Sequence, residues 1–212
     1  YNTDHQAEAA VRHLADTLKL KKVGILQENT AFGEQVGGAC VEALKKRGIK
    51  AVAREVYPIT APDLNSYVGN LRKAGADGVL AWIANTPNAE MAFNAMHSQK
   101  YYPQVAGHNG LFFERLLELV PMDAIRGATG THYKALTWTD KEKPGARQQA
   151  FAKKLEKYPE VKGMETAVVM SPYYDFLHLL KHVIEQEKTF EPEKIKRALD
   201  NVKGYDALEI GR

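Results

Sequence analysis

Cysteine is almost absent from this 212-residue chain: Cys40 is the only one, so no internal disulfide forms and cysteine usage leaves the redox compartment open. No apolar run approaches the roughly 20 residues that a membrane-spanning helix requires. No sign of charge dominates either. The formal net charge is +3, and the signs interleave, as in Lys153, Lys154, Glu156 and Lys157. That pattern belongs to solvated helix faces and argues against nucleic acid or another polyanion as partner. The chain opens at Tyr1 with neither a methionine nor a signal-like segment, so it reads as processed or cut.

The usual signatures of catalysis and cofactor binding are missing as well. G-x-G-x-x-G does not occur; Gly33, Gly37 and Gly38 have the wrong spacing, and the last two fall inside a helix pattern, where small residues permit close packing. There is no G-x-x-x-x-G-K-[ST] loop and no G-x-S-x-G elbow. No paired carboxylates suggest general acid–base work. His178 and His182 share a helix face, but the glutamate of H-E-x-x-H is missing, and they read as partly exposed histidines. Cys40 sits on an apolar helix face, the position of a small core residue. The expectation is a non-enzyme with no cofactor and no metal.

What is present is alternation. Ala7, Val11, Leu14 and Leu18 recur at helical spacing after Thr3 and Gln6, which have capping-box spacing. Val23–Leu26 is the short apolar run of a buried parallel strand. A helix pattern through Val36, Cys40 and Leu44 stops at Gly48. The segment 51–57 reads as the next strand. Asp63 suits the cap of a helix carrying Tyr67 and Leu71, ended by Gly75. Gly78–Ile83 is a third strand, Pro87 suits the first turn of another helix, and Pro103–Ala106 begins a fourth strand. Strand starts recur roughly every 27 residues, near the size of a βαβ unit. The fold class is therefore α/β, with a doubly wound parallel sheet covered on both faces. Beyond residue 133 the pattern changes: a polar stretch over 137–145 reads as a linker or crossing. Helix patterns follow near 148–157, 166–187 and 192–201, with few strands for them to cover.

Ligands of open α/β sheets bind at the carboxyl ends of the strands. The loops there are 27–33, 84–87 and 107–110. Trp82 stands late in its strand beside Asn85 and Thr86, which suits a ligand with an apolar body and a polar end, or else plain core packing. His108 and Asn109 follow the fourth strand as hydrogen-bonding candidates, or as a turn, since Asn-Gly is a favoured turn pair. Phe32 reads as a cleft aromatic or as a staple for its helix.

Several segments carry a family resemblance: DHQAEAA at 4–10, VGILQENTAFG at 23–33, ITAPDLNSYVGNL at 59–71, GADGV at 75–79, GHNG at 107–110 and YYDFL at 173–177. In order and spacing they resemble the type I periplasmic solute-binding proteins of branched-chain amino-acid (Leu/Ile/Val) ABC transporters, over nearly the whole chain. The resemblance implies two lobes joined by three crossings, with ligand enclosed between them. One lobe is complete at 1–132; the other is partial at 133–212, mostly helical and with the start of the last crossing near 206–212. About 120 upstream residues would complete the pair. It also implies an extracytoplasmic binding component, periplasmic or extracellular and membrane-anchored. Such a component captures an amino acid or a small aromatic or apolar carboxylate by hinge closure and delivers it to a membrane permease. By position, Phe32 is a cleft aromatic, Asn85 and Thr86 contact ligand, and Asn109 stands where amino-acid binders place a carboxylate. A neutral amide cannot pair with an ammonium in a closed cleft, which turns the expectation from amino acids towards aromatic or apolar acids. Two other readings stay open: a ligand-sensing domain of a receptor or regulator with the same fold, and an α/β enzyme. Dimerisation of the fragment through surface left uncovered by the absent part is a further expectation.

Overall fold

The computed structural model describes residues 2–112, 114–132, 140–158 and 166–208. The chain forms two compact units, 1–131 and 132–212. Of the expected crossing at 137–145, residues 137–139 lie outside the described residues. So do Tyr133 and residues 209–212 of the expected last crossing.

The first unit is built on five parallel strands: β1 (Val23–Glu28), β2 (Arg54–Tyr57), β3 (Gly78–Trp82), β4 (Gln104–Gly107) and β5 (Thr129–Gly130), in the order β2-β1-β3-β4-β5. β1 and β3 are buried along their whole length. Burial on both faces sorts their side chains by period two. Val23, Ile25, Leu80, Trp82 and Ala106 face one core with α1 (Thr3–Arg12) and α2 (Ala31–Lys45). Leu26, Val79, Ala81 and Val105 face the other. That second core is covered by α3 (Asn65–Lys73), α4 (Thr86–Ser98), α5 (Glu114–Leu119) and α6 (Met122–Ile125). β2 is an exposed edge carrying Arg54 and Glu55, charges that discourage edge-to-edge pairing. It is shorter than the 51–57 expected, because Val52 and Ala53 already bond β1 as a loop on its approach.

Helix boundaries follow their caps. Asn2, rather than Thr3, opens α1: its Oδ1 accepts the His5 amide at 3.0 Å, so Thr3 is already helical. α1 runs on into a π-helical turn over His13–Thr17. Asp63 Oδ1 accepts the Asn65 amide at 2.8 Å at the start of α3. Gly48 and Gly75 end their helices at φ of +68° and +71°, a region that glycine enters without strain. On the outer face, Arg47 joins Glu8 at 2.5 Å and Asp16 at 2.9 Å, tying α2 to α1 and its extension.

The second unit holds three helices among its described residues: α7 (Ala146–Leu155), α8 (Thr166–Glu187) and α9 (Pro192–Asn201). Buried Asp175 accepts the Leu208 amide at 2.8 Å, and Arg147 lies over the Tyr205 ring. His178 stacks near Tyr174 and His182 near Tyr205. Tyr173, Phe176 and Leu177 on α8 are exposed, as is Phe190 beyond it. Tyr173 and Leu177 border a groove of about 540 Å³ shared with Phe151, Leu155 and Tyr158. Among the described residues no helix is long and apolar enough to cross a membrane.

Adjacent glycines of α2 have opposite roles. A Cβ on Gly37 would land inside the side-chain amide of buried Gln27, which Arg54 pins through a 2.8 Å hydrogen bond. A Cβ on Gly38 meets nothing within 4 Å. In urea unfolding, Gly37→Ala is expected to cost about 1–3 kcal/mol through overpacking. Gly38→Ala is expected to stabilise by about 0.5–1 kcal/mol, by restraining the unfolded chain. Equal effects would show that helix propensity, and not the contact with Gln27, governs this turn.

Candidate functional site

The chain leaves β1 towards β2 on one side and returns to place β3 on the other. The strand order therefore reverses between β1 and β3. At such a switch point the loops diverge and open a crevice at the carboxyl ends of the strands. Here it is framed by residues 29–30 after β1, 83–85 after β3 and 108–110 after β4.

Two helix N-termini begin at these loops. Thr30 caps α2, its Oγ1 accepting the Gly33 amide at 3.1 Å; Asn85 caps α4, its Oδ1 accepting the Asn88 amide at 2.9 Å. Each cap takes up one first-turn amide, and both helices present the positive ends of their dipoles here. Thr86 is the first residue of α4, followed by Pro87, whose missing N–H costs nothing there. Buried Asn88 donates to the Ile59 carbonyl at 3.2 Å, and Asn29 Oδ1 accepts the Ile59 amide at 3.1 Å, so the loop after β2 is held between its neighbours.

Phe32, in the first turn of α2, meets the His108 ring edge-on, with centroids 5.3 Å apart and planes at 69°. His108 Nδ1 accepts the Gly110 amide at 3.1 Å, which sets the ring's orientation. Asn109 opens a 3-10 turn over Asn109–Phe112, and its Oδ1 is buried with no hydrogen-bond partner among the described residues. Gly107 lets this loop lie against β3, since a Cβ there would enter the Ala81 carbonyl.

The six expected positions thus separate. Phe32 and His108 are brought into contact. Asn85 and Thr86 stand half-buried at the head of α4, and Asn109 half-buried at the head of its turn. Trp82 is a correction. It is fully buried in the core on the α1–α2 side, and its indole N–H donates to Cys40 Sγ at 3.0 Å. The period of two is the reason: Trp82 shares a face with Leu80 and points into the α1–α2 core, while Ile83 points into the other.

Sequence reasoning missed Glu28. β1 runs two residues past the apolar segment, so Gln27 and Glu28 are strand residues and not loop. Glu28 is 2% exposed; its Oε1 accepts from Thr30 Oγ1 at 2.7 Å and its Oε2 from the Ala84 amide at 3.1 Å. A glutamate just past a strand's apolar run, with a threonine two positions on, was the available signal. Tyr57, at the end of β2, is a buried phenol; burial, and then the Glu28 charge, push its pKa above the usual tyrosine value, so it stays neutral.

A model of the periplasmic binding protein family matches residues 1–212. The Leu/Ile/Val-binding protein homolog 8 of Brucella abortus is 25% identical over 198 residues, 90% of this chain and 47% of that protein. The type 1 periplasmic binding protein of Bordetella pertussis superposes with a TM-score of 0.82 at 24% identity, covering 98% of this chain and 56% of that one. A solute-binding protein of an ABC transporter from R. palustris, solved in complex with 4-hydroxybenzoate, superposes at 0.73 with 18% identity, over 93% and 52%. The chain belongs to the periplasmic binding protein family, with the type I, Leu/Ile/Val-binding relatives. It spans about half the length of the curated relatives it matches.

Burial pushes the Cys40 thiol from 9.0 up to about 12, against a smaller opposing pull from the Trp82 N–H. Thiolate is the reactive form, so at pH 8 only about one native thiol in ten thousand is ionised. Native chain is expected to resist a thiol-reactive dye at pH 8 and to react once unfolded in urea. Because the folded pKa is raised, this group's contribution is complete below pH 9 and is lost as pH climbs towards 12. Rapid labelling of native chain would place Cys40, and Trp82 with it, outside the core.

Proposed function

We propose that this chain is part of the extracytoplasmic binding component of an ABC transporter, and that it reads a small carboxylate with an aromatic or apolar body. In this reading residues 1–132 form one lobe and 133–212 part of the other. Ligand lies against Phe32, His108, Asn109 and the head of α4 at Asn85 and Thr86. Contacts from both lobes favour the closed state and shift an existing open–closed equilibrium, so that a membrane permease meets the loaded form. No bond is made or broken.

Asn109 carries the reading. Its Oδ1 is buried and has no partner among the described residues, so its acceptor capacity is available to a hydroxyl or amide donor. Being neutral, it cannot compensate a ligand ammonium excluded from water, which is the role of the carboxylate that the family resemblance aligns there. Glu28 is a buried anion at the end of β1, but both of its oxygens already serve the loops. The Phe32–His108 pair supplies aromatic edges for a flat apolar body. The positive ends of the α2 and α4 helix dipoles favour an anionic group. The 4-hydroxybenzoate bound by the R. palustris solute-binding protein belongs to this chemical class, whereas the Brucella relatives are named for Leu, Ile and Val.

A thermal-shift panel on a protein carrying both lobes tests this, with leucine, isoleucine and valine set against benzoate, 4-hydroxybenzoate and cinnamate. A ligand at 100 times its Kd adds about 2.7 kcal/mol to folding. For a domain of this size that corresponds to roughly 5–10 °C in Tm. The expected result is a shift with the aromatic acids and none with the amino acids; a shift with leucine alone would overturn it. Asn109→Asp is expected to weaken aromatic-acid binding about tenfold or more, through a like charge, and to bring leucine binding up. Unchanged selectivity in that variant would remove Asn109 from the site.

A further inference from the structure

The crevice is assembled from loops belonging to different strands, and one buried side chain joins two of them. Glu28 ends β1. Its Oε1 takes the proton of Thr30 Oγ1 at 2.7 Å, and the same Oγ1 accepts the Gly33 amide at 3.1 Å. A threonine hydroxyl has one proton; once it points at Glu28, the lone pairs are left to face Gly33. Glu28 thereby sets the rotor of the cap that starts α2, two residues before Phe32. Its Oε2 takes the Ala84 amide at 3.1 Å, on the residue immediately before Asn85. The carboxylate is 2% exposed, so its two bonds form where water competes little. Gly33 holds the arrangement tight, since a Cβ there would enter the Glu28 carbonyl.

We propose that Glu28 is a positioning residue of the binding site. As a buried anionic clamp it fixes the head of α2 against the loop that leads into α4, and so sets where Phe32 and Asn85 stand. The assignment rests on the site reading given above for what is bound, but the clamp itself is a property of the ligand-free protein. A neutral amide is a poorer clamp. Glutamine at 28 offers one acceptor oxygen for two donors; if that oxygen keeps the Ala84 amide, its NH₂ turns to Thr30 Oγ1, and the Thr30 proton loses the acceptor that fixed the rotor of the cap.

Site-resolved amide exchange by NMR on the ligand-free full-length protein tests the clamp. In Glu28→Gln, exchange at Gly33 and Ala84 is expected to rise tenfold or more, while Ile25 and Val52, whose amides bond the backbone of the neighbouring strand segments, keep their rates. Unchanged Gly33 and Ala84 overturn the proposal. An equal rise at all four also overturns it, because that is general loss of stability. Should Glu28→Gln not fold, Glu28→Asp keeps the charge but is too short to reach both donors. It is then expected to lose protection at one of the two amides, and retention of both overturns the clamp. Affinity gives the second readout. Leucine and 4-hydroxybenzoate are titrated into wild type, and whichever binds is expected to bind the glutamine variant at least tenfold more weakly; equal affinity overturns the positioning role. If neither probe binds wild type, the ligand reading fails, while the exchange rates still decide the clamp.

Discussion

Every residue of β1 from Val23 to Glu28 is buried, and β3 is buried throughout beside it. A parallel strand in that position can meet solvent at its ends and nowhere else. The other features of the first unit follow from this constraint. Both faces must be covered, so α1 and α2 lie on one side, α3 to α6 on the other, and two separate cores form. The polar groups able to recognise a ligand must come after the strands, where the order reverses between β1 and β3 and the loops part.

The same constraint governs which side chains cannot serve. Trp82 has the chemistry of a ligand-facing aromatic, but an alternation of two sends it into the α1–α2 core, where Cys40 receives its N–H. Phe32 escapes the sheet because it sits on the first turn of α2, beyond the strand end, where it can lie against His108. Charge follows similar logic. Glu28 is tolerated in a buried position because a hydroxyl and an amide are aimed at its two oxygens, and the heads of α2 and α4 favour an anion between them.

The second unit shows the converse case. α8 exposes Tyr173 and Leu177 along a groove with α7, and Phe176 beside them, apolar area that water covers poorly. The chain spans about half the length of its relatives. α1 to α4, by contrast, bury their apolar faces against the sheet of the first unit.

Much of the architecture was legible in residue order. Short apolar runs at regular spacing, with glycines closing the helices between them, specify alternating strand and helix, because burial of a parallel sheet demands those runs whatever the neighbours are. The crevice loops followed from that alternation, as did Phe32, His108 and Asn109 as residues standing just beyond strand ends. Three matters were beyond the reach of residue order. Which face Trp82 takes depends on where β3 starts in register with β1. That Glu28 is strand and buried depends on Thr30 and Ala84 arriving from different loops to meet it. That Phe32 touches His108 depends on two segments 76 positions apart in sequence folding to adjacent strand ends. Local propensity and periodicity are properties of neighbours along the chain; register, burial of a charge and contact across loops are properties of neighbours in space, and the packed sheet alone supplies those.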